Sequence, residues 1–290
     1  MRNLHLAISI LLISFFSHGQ DKEITIESNV PFLGKGRKLL LDLYLPAKSD
    51  SNAKRPAVLI VHGGGWHTGS KHAAREKNIA TNLAKAGYVC ASVNYVLAKK
   101  KDTYIENLEQ VWPQNIQDCM TGVQFLRANA EKYGIDPERI GAIGGSAGGH
   151  LVAMLGVLGD RDGLDPKGGP WPGVSCRIQA VVPMYGVHDF PEFSKAKDQK
   201  IPDEHADLAK EASPVTHLSR DDPPFLILHG TRDTLVPHAQ SSLLHKAAKK
   251  AGVKSEIRII TGAKHSFHLQ PAQKDLRPLV VDFFDKHLKK

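Results

Sequence analysis

The chain is 290 residues long, with 41% hydrophobic and 23% charged residues. That composition belongs to a folded globular chain and excludes a disordered or collagen-like one. Lys and Arg exceed Asp and Glu by 38 to 30, a formal charge of +8. The excess is spread along the chain apart from short runs such as Lys99–Lys101 and Lys289-Lys290. It reads as a solvated surface without a basic, aromatic-studded stripe, so no nucleic-acid partner is expected.

Residues 1–19 carry a positive start at Arg2, an apolar run over 6–16 and small residues at Ser17 and Gly19. These are the three parts of a secretory signal peptide. The apolar run is shorter than the roughly 20 residues that span a bilayer, so no stable membrane anchor is expected. The expectation is a secreted or periplasmic protein, with residues 20–290 as one catalytic domain. Cys90, Cys119 and Cys176 are too few and too scattered for a disulfide framework, and none has zinc-ligand spacing, so no metal site is expected.

From residue 23 onward, strand-like and helix-like segments alternate. Residues 23–28 and 39–45 read as an antiparallel hairpin around the Gly34-Lys35-Gly36 turn. The continuously apolar run 56–61 reads as a buried strand. Residues 70–86 follow as a helix, 88–93 as a strand, and 113–133 as a long amphipathic helix ending at Gly134. Strand 139–143 and the helix over 147–158 flank a glycine-rich turn. Strands over 178–185, 224–228 and 254–260 and helices over 238–251 and 271–289 complete the pattern. Eight strands with intervening helices predict an α/β fold: a mostly parallel sheet, helices on both faces, an antiparallel N-terminal edge. The polar stretch 187–222 is too long for a plain connection and reads as a small insertion above the carboxyl edge of the sheet.

Four motifs sit at strand ends. Gly144-Gly145-Ser146-Ala147-Gly148-Gly149 lies between a strand and a helix, the setting of a nucleophile elbow. The small residues two before and two after Ser146 let strand and helix approach each other. His62-Gly63-Gly64-Gly65-Trp66 follows the strand over 56–61. Its bare N–H groups suit the negative oxygen that develops in acyl transfer, where losing one donor costs about 3–4 kcal/mol. Gly64, Gly65 and Ala147 are the expected oxyanion donors, and His62 is expected to brace the loop. Asp233 follows the third strand end and His265 the fourth. A serine hydroxyl needs a base to take its proton, and the base needs an acid to hold its tautomer, so Ser146, His265 and Asp233 are the expected triad. His268 is a rival base and Asp189 a rival acid. The triad needs no cofactor. Trp66, Trp112, Trp171 and Tyr185 are candidate substrate-lining aromatics.

The order Ser146, Asp233, His265, together with Ser92-Val93-Asn94-Tyr95, Gln117-Asp118 and Tyr133-Gly134-Ile135-Asp136-Pro137, resembles the α/β-hydrolases over residues 23–290. Within them it is similar to the HGGGW-type branch, with hormone-sensitive-lipase-like esterases and secreted bacterial feruloyl and acetyl-xylan esterases. The resemblance implies hydrolysis of carboxylic esters through an acyl-enzyme on a small ester or acylated polysaccharide. Two departures bear on substrate: Val96 stands where the branch often has Arg, and Ser266 where it often has Gly. A serine exopeptidase, amidase or formamidase on the same fold is the alternative chemistry, and a dead hydrolase fold acting as a binding module is a third.

Overall fold

The computed structural model describes residues 23–47, 53–160, 164, 166 and 169–289. The expected export segment over 1–19 lies outside them. Eight strands form one sheet: β1 (Thr25–Pro31), β2 (Leu40–Leu45), β3 (Arg55–Val61), β4 (Val89–Val93), β5 (Ile135–Gly145), β6 (Ala180–Met184), β7 (Phe225–Gly230) and β8 (Ser255–Ile260). Their spatial order is β1-β2-β4-β3-β5-β6-β7-β8. β1 pairs antiparallel with β2, and β2 antiparallel with β4. All remaining pairs are parallel. The fold is therefore the α/β sheet expected, antiparallel edge included.

Alternation along the central strands divides the core in two. Ala57, Leu59 and Val61 of β3 face one cluster, Val58 and Ile60 the other. The first is covered by α3 (Gln114–Ala128), α5 (Ala147–Leu158) and α8 (Ala239–Ala251) through residues such as Met120, Leu151 and Leu244. The second is covered by α1 (Ala74–Lys85) and α9 (Arg277–Leu288) through Ile79, Leu83, Val280 and Phe284. Burial on both faces explains why residues 56–61 of β3 are apolar without interruption.

Several boundaries differ from expectation. The helix expected over 113–133 breaks at Asn129 into α3 and the single turn α4 (Ala130–Tyr133). The strand expected over 139–143 begins at Ile135, directly after Gly134 turns the chain with φ 63°. A short helix, α2 (Tyr104–Glu109), was not expected at all. Thr103 and Glu106 close it with a reciprocal capping box, a signal present in the sequence. The stretch 187–222 holds α6 (Phe190–Ala196) and α7 (Ala206–Glu211). No helix among the described residues is long and apolar enough to cross a membrane.

Register brings the chemistry to one rim. Val61 at the end of β3 pairs with Gly144, and Gly145 with Met184 at the end of β6. Gly230 at the end of β7 pairs with Ile260 at the end of β8. The loops that carry His62, Ser146, Asp233 and His265 thus leave the carboxyl edge side by side, where open α/β sheets bind ligands.

Candidate active site

Ser146 joins β5 to α5 with φ 59° and ψ −123°, a backbone that a side-chain-bearing residue rarely adopts. The turn is held by its N–H to Met184 O (2.9 Å) and by His150 N–H to Ser146 O (3.0 Å). Glycine is required beside it because backbones touch: a Cβ on Gly148 would stand 2.1 Å from Val61 O. The result lifts the Ser146 hydroxyl clear of the sheet.

Gly64 turns the adjacent loop with φ 120°, and its carbonyl accepts from His67 N–H (3.2 Å) and Thr68 N–H (3.1 Å). Among the described residues no acceptor takes the N–H of Gly64, Gly65 or Ala147, and all three residues line one cavity with Ser146. His62 lies beneath the loop as a brace. Its Nδ1 donates to Gly63 O (2.7 Å), and its ring stacks on Tyr95 at 4.3 Å. Burial lowers its pKa to about 4, so it stays neutral.

The acid and base loops are laced together. Thr231 N–H donates to Ile260 O (3.1 Å), Arg232 N–H to Ala263 O (2.9 Å) and Gly262 N–H to Thr231 Oγ1 (2.8 Å). Asp233 Oδ2 then lies 2.6 Å from His265 Nδ1, and His265 Nε2 lies 2.8 Å from Ser146 Oγ. With a carboxylate on one side of the ring, Nδ1 carries the proton and donates, leaving Nε2 to accept from the serine hydroxyl. Asp233 Oδ1 takes the N–H groups of Leu235 (3.0 Å) and Val236 (2.9 Å). Burial opposes ionisation of Asp233, but hydrogen bonds from His229, His265 and Val236 outweigh it. They hold the carboxyl far below its ordinary range.

His229 has a role that sequence reasoning did not assign. Fully buried, it donates from Nε2 to Val236 O (2.9 Å), stands 3.2 Å from Asp233 Oδ2 and accepts at Nδ1 from Ser241 Oγ (2.7 Å). The rival residues lie elsewhere. His268 Nδ1 accepts from Gln270 N–H (2.9 Å), and Asp189 caps α6 by accepting from Glu192 N–H (3.0 Å).

The aromatic expectations need correction. Tyr185 is buried, does not line the cavity and donates its hydroxyl to Phe267 O. Its ring supports His265 edge-on at 4.9 Å. Trp66 does line the cavity, yet it is only 1% exposed and its Nε1 donates to His150 Nδ1 (3.2 Å). Trp112 donates instead to Glu211 Oε1 (3.0 Å), and Trp171 packs on Phe125. Packing decided each case: an aromatic side chain turns toward the cavity or away from it according to what lies beside it.

The cavity around Ser146 holds about 240 Å³. Trp66, Tyr104, Val187, Phe193, Leu235 and Val236 give it apolar lining; His67, Thr68, Arg75 and Ser266 give it polar lining. α2 and α6 supply Tyr104 and Phe193, whose rings meet at 5.3 Å. No local sequence pattern marks Arg75, which comes from α1.

A family model described as BD-FAE matches residues 41–248. Esterase LipQ of Mycobacterium tuberculosis is 28% identical over 83% of this chain and 57% of its own length. The chain spans about half the length of the curated relatives it matches. Among solved structures, a truncated carbohydrate esterase from gut microbiota is 30% identical, with a TM-score of 0.80 over 93% of this chain and 99% of that one. An acetyl ester-xyloside bifunctional hydrolase from Caldicellulosiruptor lactoaceticus is 27% identical, with a TM-score of 0.70 over 87% and 89%. With the model covering most of the sequence and the sheet, elbow and rim arranged as described, the chain belongs to the BD-FAE family of α/β-hydrolases.

Proposed function

We propose that the protein is a serine carboxylesterase that is exported and removes acyl groups, acetyl foremost and feruloyl second, from plant polysaccharide. The observation that carries the chemistry is the relay Asp233–His265–Ser146, with contacts of 2.6 and 2.8 Å, opening into a cavity beside three unengaged N–H groups. His265 Nε2 takes the proton of Ser146 Oγ as the oxygen attacks the ester carbonyl. Gly64, Gly65 and Ala147 N–H receive the oxyanion. Collapse returns that proton from His265 to the departing alcohol oxygen and leaves an acyl-enzyme. Water, deprotonated by His265, attacks in turn; the acid leaves and Ser146 regains its hydrogen. Asp233 stays ionised throughout and stabilises the imidazolium.

Three observations support the substrate. The cavity of about 240 Å³ is small for a ligand site, which favours a short acyl group. Two structural neighbours are named for carbohydrate esterase and acetyl ester-xyloside chemistry. The segment over 1–19 has the build of an export signal, which suits a polymer met outside the cell.

The test is hydrolysis of p-nitrophenyl acetate by wild type and Ser146→Ala. The variant is expected to lose at least about 10³-fold in kcat, the scale of removing a nucleophile. Equal rates overturn the assignment. A panel of acetyl, feruloyl and longer esters on small alcohols and on xylan then ranks the substrates.

A further inference from the structure

Arg75 stands at the reacting centre without belonging to any of the four motifs. It is the second residue of α1, its side chain is 15% exposed, and it lines the cavity that holds Ser146. Its Nη2 and the Cβ of Ser146 each lie 3.0 Å from the point where a Gly63 Cβ would be, so the guanidinium and Ser146 both crowd one bare glycine. Arg75 is paired with the buried Glu76, Nε to Oε1 at 2.7 Å and Nη2 to the same oxygen at 2.5 Å.

Nη1 is poorly served by comparison. Its protein partner among the described residues is the Tyr185 hydroxyl at 3.5 Å, the outer limit of a hydrogen bond. A guanidinium has five N–H groups, and buried donors are rarely left unengaged. Here the under-used donors belong to a residue that lines the cavity together with the polar Thr68, His67 and Ser266. The rest of the lining is largely carbon: Trp66, Tyr104, Val187, Phe193, Leu235 and Val236. A short alkyl acyl group matches the apolar residues of this lining, and an oxygen-rich alcohol matches its polar ones. Because Glu76 already neutralises Arg75, the best match for the remaining donors is a neutral oxygen; a second carboxylate would leave an excess negative charge in a buried site.

We propose that Arg75 recognises the alcohol half of the substrate, donating hydrogen bonds to free hydroxyl oxygens of a sugar next to the acylated position. This rests on the esterase reading and adds to it a residue and a selectivity. An ester of a plain alcohol leaves the Arg75 donors desolvated and unpaired, whereas an ester of a sugar satisfies them.

The test compares two acetate esters that share a six-membered ring: methyl 2-O-acetyl-xyloside and 3-acetoxytetrahydropyran, which has no free hydroxyls. Wild type is expected to prefer the xyloside by about tenfold or more in kcat/KM, most of it in KM, as sites built around a hydrogen bond discriminate. In the double variant Arg75→Met/Glu76→Gln, which removes both charges so that neither is left buried alone, the preference is expected to shrink to roughly threefold or less. A wild type indifferent to the hydroxyls overturns the proposal, whether or not the variant folds. So does a variant that loses both substrates in the same proportion, because Arg75 then acts only by propping Tyr185 and the His265 loop. Failure of the esterase reading looks different: p-nitrophenyl acetate turnover is then absent or indifferent to Ser146→Ala, and this proposal falls with it.

Discussion

Ser146 occupies a left-handed backbone conformation because β5 and α5 leave it no other route, and the strain is met by glycines that let the two elements touch. The hydroxyl so presented depends on a chain of orientation in which Asp233 acts through His265. Asn at 233 keeps the volume but replaces one acceptor oxygen with a donor, which favours the wrong imidazole tautomer. Asp233→Asn is expected to lower kcat by about 10⁴-fold, with an unchanged far-UV circular dichroism spectrum. A loss under tenfold means that another group holds His265. Because hydrogen bonds keep Asp233 ionised far below the usual carboxylate range, it stays charged well into acid. Any fall in kcat between pH 7 and pH 4 therefore arises from other groups.

The elements that shape the cavity are the least regular ones. α6 begins on the Asp189 cap and is tied back by Lys197 Nζ to Thr234 O (2.8 Å), which sets Phe193 against the acid loop. α2 faces it with Tyr104, whose ring meets Trp66 edge-on at 6.3 Å and Phe193 at 5.3 Å. Removing the half-buried Tyr104 ring opens this wall at moderate cost to the core. Tyr104→Ala is expected to raise the ratio of kcat/KM for p-nitrophenyl octanoate over acetate by about tenfold, the worth of a few methylenes newly accommodated. An unchanged ratio, measured on folded protein, means that the acyl chain does not run past α2. The sheet strands were legible because apolar runs between turns have few alternatives. The two short helices were harder to see, since six or seven residues give too little periodicity to stand out. The Thr103–Glu106 box was the cue for α2.

Across the whole molecule, three buried histidines make stability a function of pH. His62 and His150 have pKa values lowered to about 4, in both cases by burial, and His188 is lowered as well, by burial and then by the neighbouring His150 and His229. A histidine takes up a proton near pH 6.5 once unfolded, so below that pH the unfolded chain binds more protons than the folded one. The stabilisation from burying neutral rings is complete above about pH 6.5 and declines as pH falls toward 4. His62 and His150 then each cost on the order of 2–3 kcal/mol. Calorimetric melting is expected to show Tm falling by roughly 10 °C between pH 7 and pH 4.5. A flat or rising Tm over that range contradicts neutral burial of the three rings. Asp233 adds nothing in this window, because its contribution is present above the unfolded carboxylate pKa and fades only as pH drops toward its much lower folded value.

Glycine spacing around Ser146, the run His62–Trp66 and the apolar strands ahead of each motif are local features, legible residue by residue, and they foretold the sheet and the four loops on its rim. Sterics acts there over a few positions, so the order of residues alone is decisive. Which way Trp66 and Tyr185 turn, that His229 backs the acid, and that Arg75 of α1 lines the cavity of Ser146 were settled only when the chain packed. Tyr185 meets Phe267 across 82 residues and Arg75 meets Tyr185 across 110. Such contacts depend on register and side-chain packing between distant elements, which no local pattern encodes.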